Sequence, residues 1–154
     1  MTIGSDEYDI MRAWSALMLE KRWQMPKGLA PESHPIACLD QIAASSTARA
    51  RQGLSMMIGD LIEESSALSG DEIRQLDELF RQAKLPTLSD VRLRFHRRIK
   101  RILKSGKIKS EVDYYAVRSV VEGLSDDTER TQLWDLLAAY EGSIKPRDAS
   151  APPA

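Results

Sequence analysis

Residues 69–86 read SGDEIRQLDELFRQAKLP, and this stretch carries the marks of a complete helix. Ser69 and Glu72 have the spacing of a capping box, in which each residue satisfies an amide of the other at the start of a helix. Apolar residues then recur at the spacing of one helical face, namely Ile73, Leu76, Leu79 and Phe80. Pro86 cannot continue a helix. The stretch therefore predicts an amphipathic helix together with its start, its buried face and its end.

The same signals recur on both sides of this helix. Thr87 and Asp90 form a weaker start signal of the same kind, and Gly106 is well placed to end a helix in the left-handed conformation. Capped apolar stripes predict further helices over residues 5–24, 35–44, 47–67, 88–104, 111–122 and 126–141. Strand signals are nearly absent, because no long alternation of apolar and polar residues occurs and no Asn-Gly or Asp-Gly dipeptide is present. We therefore predict an all-α fold, a compact orthogonal-type bundle of about six or seven short helices. It forms a single domain over residues 5–143, followed by a disordered tail over residues 144–154.

The predicted helices also indicate which large side chains are buried. Trp14 and Ile10 lie on the apolar stripe of the first helix, and Trp134 lies beside that of the last. On the helix over residues 111–122, the predicted inner face includes Val112 and Tyr115.

Length and composition restrict the class of protein. A chain of 154 residues fits one domain with a sizeable core. Cys38 is the one cysteine, so no internal disulfide can form. The first ten residues are polar and acidic and lack the features of a signal peptide, and no apolar stretch is long enough to span a bilayer. These features predict a cytoplasmic protein.

The charge of the chain is unevenly distributed. The net charge is −1, yet residues 91–109, which we name the basic segment, carry +9, so the rest of the chain carries −10. The segment contains no acid and nine cations: Arg92, Arg94, Arg97, Arg98, Lys100, Arg101, Lys104, Lys107 and Lys109. This asymmetry is the strongest functional signal in the sequence.

On a helical wheel, the helix over residues 88–104 separates into two faces. Phe95 lies at the centre of an apolar stripe with Leu88, Val91, Ile99, Ile102 and Leu103. The far side carries Arg94, Arg97, Lys100, Arg101 and Lys104. One interpretation is a solvated face whose cations pair with acids elsewhere in the chain, such as Asp71, Glu72, Asp77 and Glu78. The other is a docking surface for an anionic partner.

As a docking surface, the basic segment predicts a non-enzymatic protein-binding or regulatory module whose partner is another protein with an acidic face. The alternative is binding to nucleic-acid phosphates through the same helix, without strong sequence readout. A helix-turn-helix does not fit, since the second helix begins with Glu111 and Asp113. A homo-oligomer is also compatible with the sequence. The predicted binding residues are Arg94, Arg97, Arg98, Lys100, Arg101, Lys104, Lys107 and Lys109.

Signals for catalysis, metals or cofactors are weak. His34 and Cys38 have the spacing of one helical face, but two ligands do not make a zinc site, and the pair has no evident third group to orient a nucleophile. A capping His34 and a packed Cys38 are the favoured interpretation. The acids Asp60, Glu63 and Glu64 indicate a solvated face, since the Glu-x-x-His pattern of di-iron bundles is missing. We therefore predict neither an enzyme nor a cofactor.

One apolar feature near the first helix has two interpretations. Trp23, Met25 and Met56 could form an exposed patch for a partner. Equally, the loop over residues 25–34 could fold back over Trp23.

Overall fold

The structure is a computed structural model that describes residues 2–144. This part of the chain is all-α, as predicted, and contains eight α-helices, two short 3-10 turns and no strand. The helices are α1 (Tyr8–Arg22), α2 (Pro35–Ser45), α3 (Thr47–Glu64), α4 (Gly70–Gln82), α5 (Leu88–Phe95), α6 (Arg97–Ser105), α7 (Glu111–Val121) and α8 (Asp127–Ser143). Among these eight helices, none has the length and apolar character that crossing a bilayer requires.

The chain divides into two compact units, and each is described by itself. Unit 1 is Met1–Pro86 and contains α1 to α4, whereas unit 2 is Thr87–Ala154 and contains α5 to α8. The single domain over residues 5–143 stays a prediction. The predicted disordered tail falls almost wholly on residues 145–154, which lie outside the described residues.

The core of unit 1 contains a stacked aromatic pair. Trp14 of α1 and Phe80 of α4 are both fully buried, and their rings stack with centroids 5.3 Å apart. Leu54 and Ile58 of α3 are also fully buried. The predicted capping box starts α4, because Glu72 accepts a hydrogen bond from the Ser69 amide at 2.8 Å while the Ser69 hydroxyl accepts from the Glu72 amide. The stretch that predicted this helix therefore forms it as expected.

Unit 2 has a core of its own, formed by the end of α5 with α6, α7 and α8. Its fully buried side chains include Ile99, Val117, Val121 and Leu133. A second capping box starts α5: Thr87 accepts from the Asp90 amide at 2.9 Å, and Asp90 accepts from the Thr87 amide at the same distance. The Thr87 hydroxyl also donates to the Gly123 carbonyl, so the cap ties the start of α5 to the loop before α8.

Several side chains predicted to be buried are exposed. Val112 and Tyr115 of α7 are exposed by 60% and 62%, and Ile10 and Trp134 are also exposed, with the Arg118 guanidinium over the Trp134 ring. On α7 the reason is electrostatic: Asp113 points inward to two arginines of α6, so the neighbouring Val112 points outward. The inner face of α7 is Asp113, Val117, Val120 and Val121.

Candidate functional site

The predicted single helix over residues 88–104 is wrong, because the chain breaks at His96. That residue has an extended backbone, with φ −85° and ψ 101°, between α5 and α6. Its amide donates the last hydrogen bond of α5 to the Arg92 carbonyl at 2.8 Å, and its carbonyl accepts the first bond of α6 from the Lys100 amide at 3.2 Å. One residue therefore ends one helix and starts the next, which explains why the described chain has one more helix than the seven stretches predicted.

The break changes which residues face inward. A wheel drawn through position 96 places Phe95 at the centre of the apolar face, but Phe95 is only half-buried. Arg92 and Leu93 are buried in its place. Ile99 and Ile102 of α6 are buried as predicted, since their spacing does not depend on the break.

The exposed side of α6 is cationic apart from Ser105 at its end. Arg97, Lys100, Arg101 and Lys104 are exposed and follow each other at helical spacings of three and four residues. Ile99 and Ile102 fix this orientation from the opposite side, because burying them leaves the four cations facing outward. We name these four residues the α6 cationic face.

Two further lysines extend this surface beyond the end of α6. Gly106 ends the helix in the left-handed region with φ 65°, as predicted, and the Ser105 hydroxyl donates to the Lys107 carbonyl at 3.2 Å. Ile108 is buried in the core of unit 2. Because Ile108 anchors the loop, Lys107 and Lys109 on either side of it are both exposed.

The structure separates the eight predicted binding residues into three groups. Arg98 and Arg101 contact Asp113 of α7 at 3.4 and 3.9 Å, and the Asp113 side chain is only 9% exposed. Arg94 is half-buried with its guanidinium over the Phe95 ring. The other five form no ion pair with a described acid of unit 2: Arg97, Lys100, Lys104, Lys107 and Lys109.

The acids that were candidate partners of the basic segment pair with cations of their own unit. Asp71 pairs with Arg74, Glu72 lies 3.6 Å from Arg22, and Glu78 lies 3.5 Å from Arg81. Asp77 is buried. The partner that sequence reasoning missed was Asp113, since its position after Ser110 indicated only a helix start.

The charges of α6 oppose its own stability. Helices α4, α5, α7 and α8 each begin with a capping side chain and with acids in the first turn, which suit the positive end of a helix. In contrast, α6 begins with Arg97 and Arg98, and the His96 side chain makes no capping bond. Like charges three and four residues apart also repel along the helix. Departures of this kind from local preference are expected at functional sites.

His96 is itself unusual in its surroundings. Its Nδ1 atom is buried and has no hydrogen-bond partner among the described residues. Burial lowers the pKa of this imidazole below the ordinary 6.5, and the charges of Arg98 and Arg92 lower it further. The neutral ring therefore fits the break better than the charged ring does.

The other candidate residues have structural roles. The His34 Nδ1 atom accepts a hydrogen bond from the Ile36 amide at 3.2 Å and so caps α2, while the Cys38 thiol faces the Glu32 carbonyl at 3.5 Å. The two side chains are thus directed to different backbone groups, and within residues 2–144 no three potential ligands cluster as a metal site would need.

The predicted patch around Trp23 is only partly exposed. The His34 ring contacts the half-buried Trp23 ring edge-on, with centroids 5.5 Å apart. Since His34 ends the loop over residues 25–34, this contact agrees with the loop folding back over Trp23. Met25 and Met56 are exposed.

Comparison of the chain with known protein families, with curated proteins and with solved structures found no match.

Proposed function

We propose that the protein is a non-enzymatic binding module that engages an acidic face of another protein through the α6 cationic face, Lys107 and Lys109. The observation that carries the proposal is the composition of α6, whose cations destabilise the helix and, for the most part, pair with no described acid of unit 2. Binding to a partner outside unit 2 explains why a helix with this unfavourable composition is kept.

Charge complementarity defines the partner. Exposed cations of one sign raise the rate of association with an acidic surface and discriminate against basic ones. Asp113 of α7 helps to position this surface, because its carboxylate pairs with Arg98 and Arg101 of α6. The partner is therefore expected to present several carboxylates at the spacing of about two helical turns.

Nucleic-acid phosphates are the alternative partner, as the sequence already indicated. Stacking of bases on aromatic side chains strengthens binding to single strands. Besides the His96 imidazole, the basic segment has one aromatic ring, that of Phe95, which is half-buried beneath Arg94. This arrangement favours the protein partner over the nucleic acid.

The test is charge reversal on the α6 cationic face, in the triple variant Arg97→Glu, Lys100→Glu and Lys104→Glu. Wild type and variant are used as tagged baits in extracts of the native host, with and without nuclease. We expect a protein that survives nuclease to be captured by wild type and lost from the variant. The single variant Arg97→Glu is expected to gain about 0.5–1 kcal/mol in stability, because an acidic side chain suits the first turn of α6.

A matched control separates local charge from net charge. Lys21, Lys27 and Arg49 are exposed cations of unit 1, and reversing all three changes the net charge by the same amount. The control variant should retain the captured protein. Capture by all three baits alike would contradict the proposal, and capture that disappears with nuclease and weakens steeply with salt would establish the alternative.

A further inference from the structure

One helix of unit 1 presents an exposed face that combines acids with an apolar side chain. On the outer side of α3, Met56 is 66% exposed, and Asp60, Glu63 and Glu64 further along the same side are also exposed. These positions follow each other at helical spacings of three and four residues, so they form one continuous surface. The three acids form no ion pair with a described cation of unit 1. We name these four residues the α3 acidic face.

The acids of this face oppose the stability of α3. Glu63 and Glu64 are the last two residues of the helix, where the backbone carbonyls already make the end negative. The last turn contains no cation that would offset them. The reverse holds for α6, in which Arg97 and Arg98 add positive charge to the positive end of the helix. The two helices therefore carry unfavourable charges of opposite sign, and pairing these two ends would relieve both.

A glycine beside the acids leaves room for a close neighbour. Gly59 lies inside α3, where glycine lowers the stability of a helix. Gly53 of the same helix has a packing reason, since a β-carbon there would lie 3.5 Å from the Leu39 side chain. A β-carbon at Gly59 would meet nothing within 4 Å, so no contact of the described chain requires this glycine. The missing side chain lets a second helix approach the backbone of α3 closely.

The α6 cationic face matches the α3 acidic face in length as well as in charge. The span from Met56 to Glu63 and the span from Arg97 to Lys104 are both about 10 Å along the helix axis. In an antiparallel arrangement the end of α3 meets the start of α6, so Glu63 lies opposite Arg97, and Met56 lies opposite Lys104. The stem of a lysine packs on an apolar side chain while its ammonium group stays in water. The arrangement therefore pairs charges at one end and covers the exposed methionine at the other.

We infer that the partner of the α6 cationic face is a second copy of this chain, bound through the α3 acidic face. The inference rests on the proposed function and names its partner. Each copy carries both faces, so two copies can make the same contact in both directions. The net charge of −1 gives little overall repulsion between copies.

The experiment is sedimentation velocity of the purified full chain over a range of protein concentrations. It is run at ionic strengths of about 0.02 M and about 0.5 M, because salt screens exposed charges. We expect self-association at the lower ionic strength. Its dissociation constant should rise at least about tenfold at the higher one.

Two variants assign the faces, and each reverses three charges. The α6 reversal is Arg97→Glu, Lys100→Glu and Lys104→Glu, and the α3 reversal is Asp60→Lys, Glu63→Lys and Glu64→Lys. Each should by itself weaken self-association at least about tenfold. Mixing the two should restore association, because the acidic α6 of the first meets the basic α3 of the second while their unaltered faces also match. Circular dichroism checks that both are folded, which we expect because each puts a favourable charge at its helix end.

Two further variants serve as a control and as a test of the close approach. The control reverses three exposed acids of unit 1 outside α3, namely Asp6, Glu20 and Glu32. It changes the net charge as much as the α3 reversal does and should associate like wild type. Gly59→Gln keeps every charge but fills the gap beside the acids, so it should weaken self-association about tenfold with its helix content retained.

A chain that stays monomeric at the lower ionic strength would overturn the inference. Self-association that survives either reversal, that is not restored by mixing the two, or that is unchanged in Gly59→Gln would overturn it as well. The proposed function is tested separately, because the bait experiment would in each of these cases still show whether a different protein is captured through the α6 cationic face.

Discussion

At the scale of single residues, His96 combines three unfavourable features. It interrupts a helix with an extended backbone, it buries Nδ1 without a hydrogen bond to any described residue, and it lies near the charges of Arg92 and Arg98. The burial and the two charges penalise the charged imidazole. The break between α5 and α6 is therefore sensitive to the protonation of a single side chain.

A pH dependence of stability follows from His96. Its pKa is lower in the folded state than the 6.5 of the unfolded chain, so the unfolded state binds the proton more readily. The free energy of unfolding that depends on a neutral His96 is fully present above pH 6.5. It is lost as the pH falls from 6.5 toward the pKa of His96 in the folded state. Urea unfolding of wild type and His96→Gln between about pH 7.5 and pH 5 measures this.

The difference between those two proteins isolates His96, since His34 is present in both. We expect wild type to lose stability relative to His96→Gln as the pH falls through this range. Parallel stability curves for the two proteins would show that the break tolerates the charged ring.

For single residues, the sequence predicted features that depend on neighbouring positions and missed features that depend on distant ones. The caps at Ser69 and Thr87 and the left-handed Gly106 depend on neighbours within four positions, and all three are confirmed. The extended backbone of His96 has no proline or glycine to signal it. The role of Asp113 depends on arginines that lie 12 and 15 positions earlier in the chain.

At the scale of elements, the two capping boxes have the same local pattern but different surroundings. Ser69 is exposed at the start of α4, and its hydroxyl hydrogen-bonds to Glu72 in the first turn of the same helix. Thr87 is fully buried at the start of α5 and also donates to the Gly123 carbonyl at 2.9 Å. Its partner Asp90 accepts from the Ser125 amide at 2.8 Å. The second cap therefore joins two parts of unit 2.

The two caps are expected to differ in their effect on stability. Ser69→Ala should cost about 1 kcal/mol, the usual value for losing a cap. Thr87→Ala should cost about 2–3 kcal/mol, because it also takes away the hydroxyl that donates to the buried Gly123 carbonyl. Urea unfolding of both variants provides the comparison. Thr87→Ser keeps both hydrogen bonds and should lie close to wild type; a cost equal to that of Thr87→Ala would mean that the methyl group matters and the hydroxyl does not.

The cationic character of the outer face of α6 was predictable from the sequence, although the start of that helix was not. Arg97, Lys100, Arg101 and Lys104 were predicted to share one outer face, and they do, because the short α6 preserves their spacing. The prediction that Phe95 lies at the centre of the apolar face was wrong, because the helical wheel assumed one continuous helix across His96. The predicted inner face of α7 was wrong at its start, because the buried stripe of Val117, Val120 and Val121 continues through Asp113 and its ion pairs and not through Val112.

At the scale of the whole molecule, each unit has a buried core within its own residues. In unit 2 the core runs from Leu93 to Leu137 and includes the fully buried Ile99, Val117 and Leu133. The division between Pro86 and Thr87 falls at the start of a capped helix. The sequence predicted the helices on both sides but had no signal for the division, since no long linker separates them.

The core of unit 2 predicts that the fragment over residues 87–154 folds by itself. It should be helical by circular dichroism and should unfold cooperatively on heating. Leu133→Ala removes a fully buried side chain and should cost about 2–5 kcal/mol in the fragment, enough to abolish or sharply lower its transition. A fragment without a cooperative transition, or one that is indifferent to Leu133→Ala, would show that unit 2 has no independent core.

The loop after α6 has a consequence for genetics. Ile108 is hidden from solvent and Gly106 carries no side chain, yet these two positions determine where Lys107 and Lys109 stand. If the protein engages a partner as we propose, a selection for mutants that no longer bind it would recover changes at Ile108 and Gly106 besides those at the lysines. Such mutants would lose recognition with every positive charge still present.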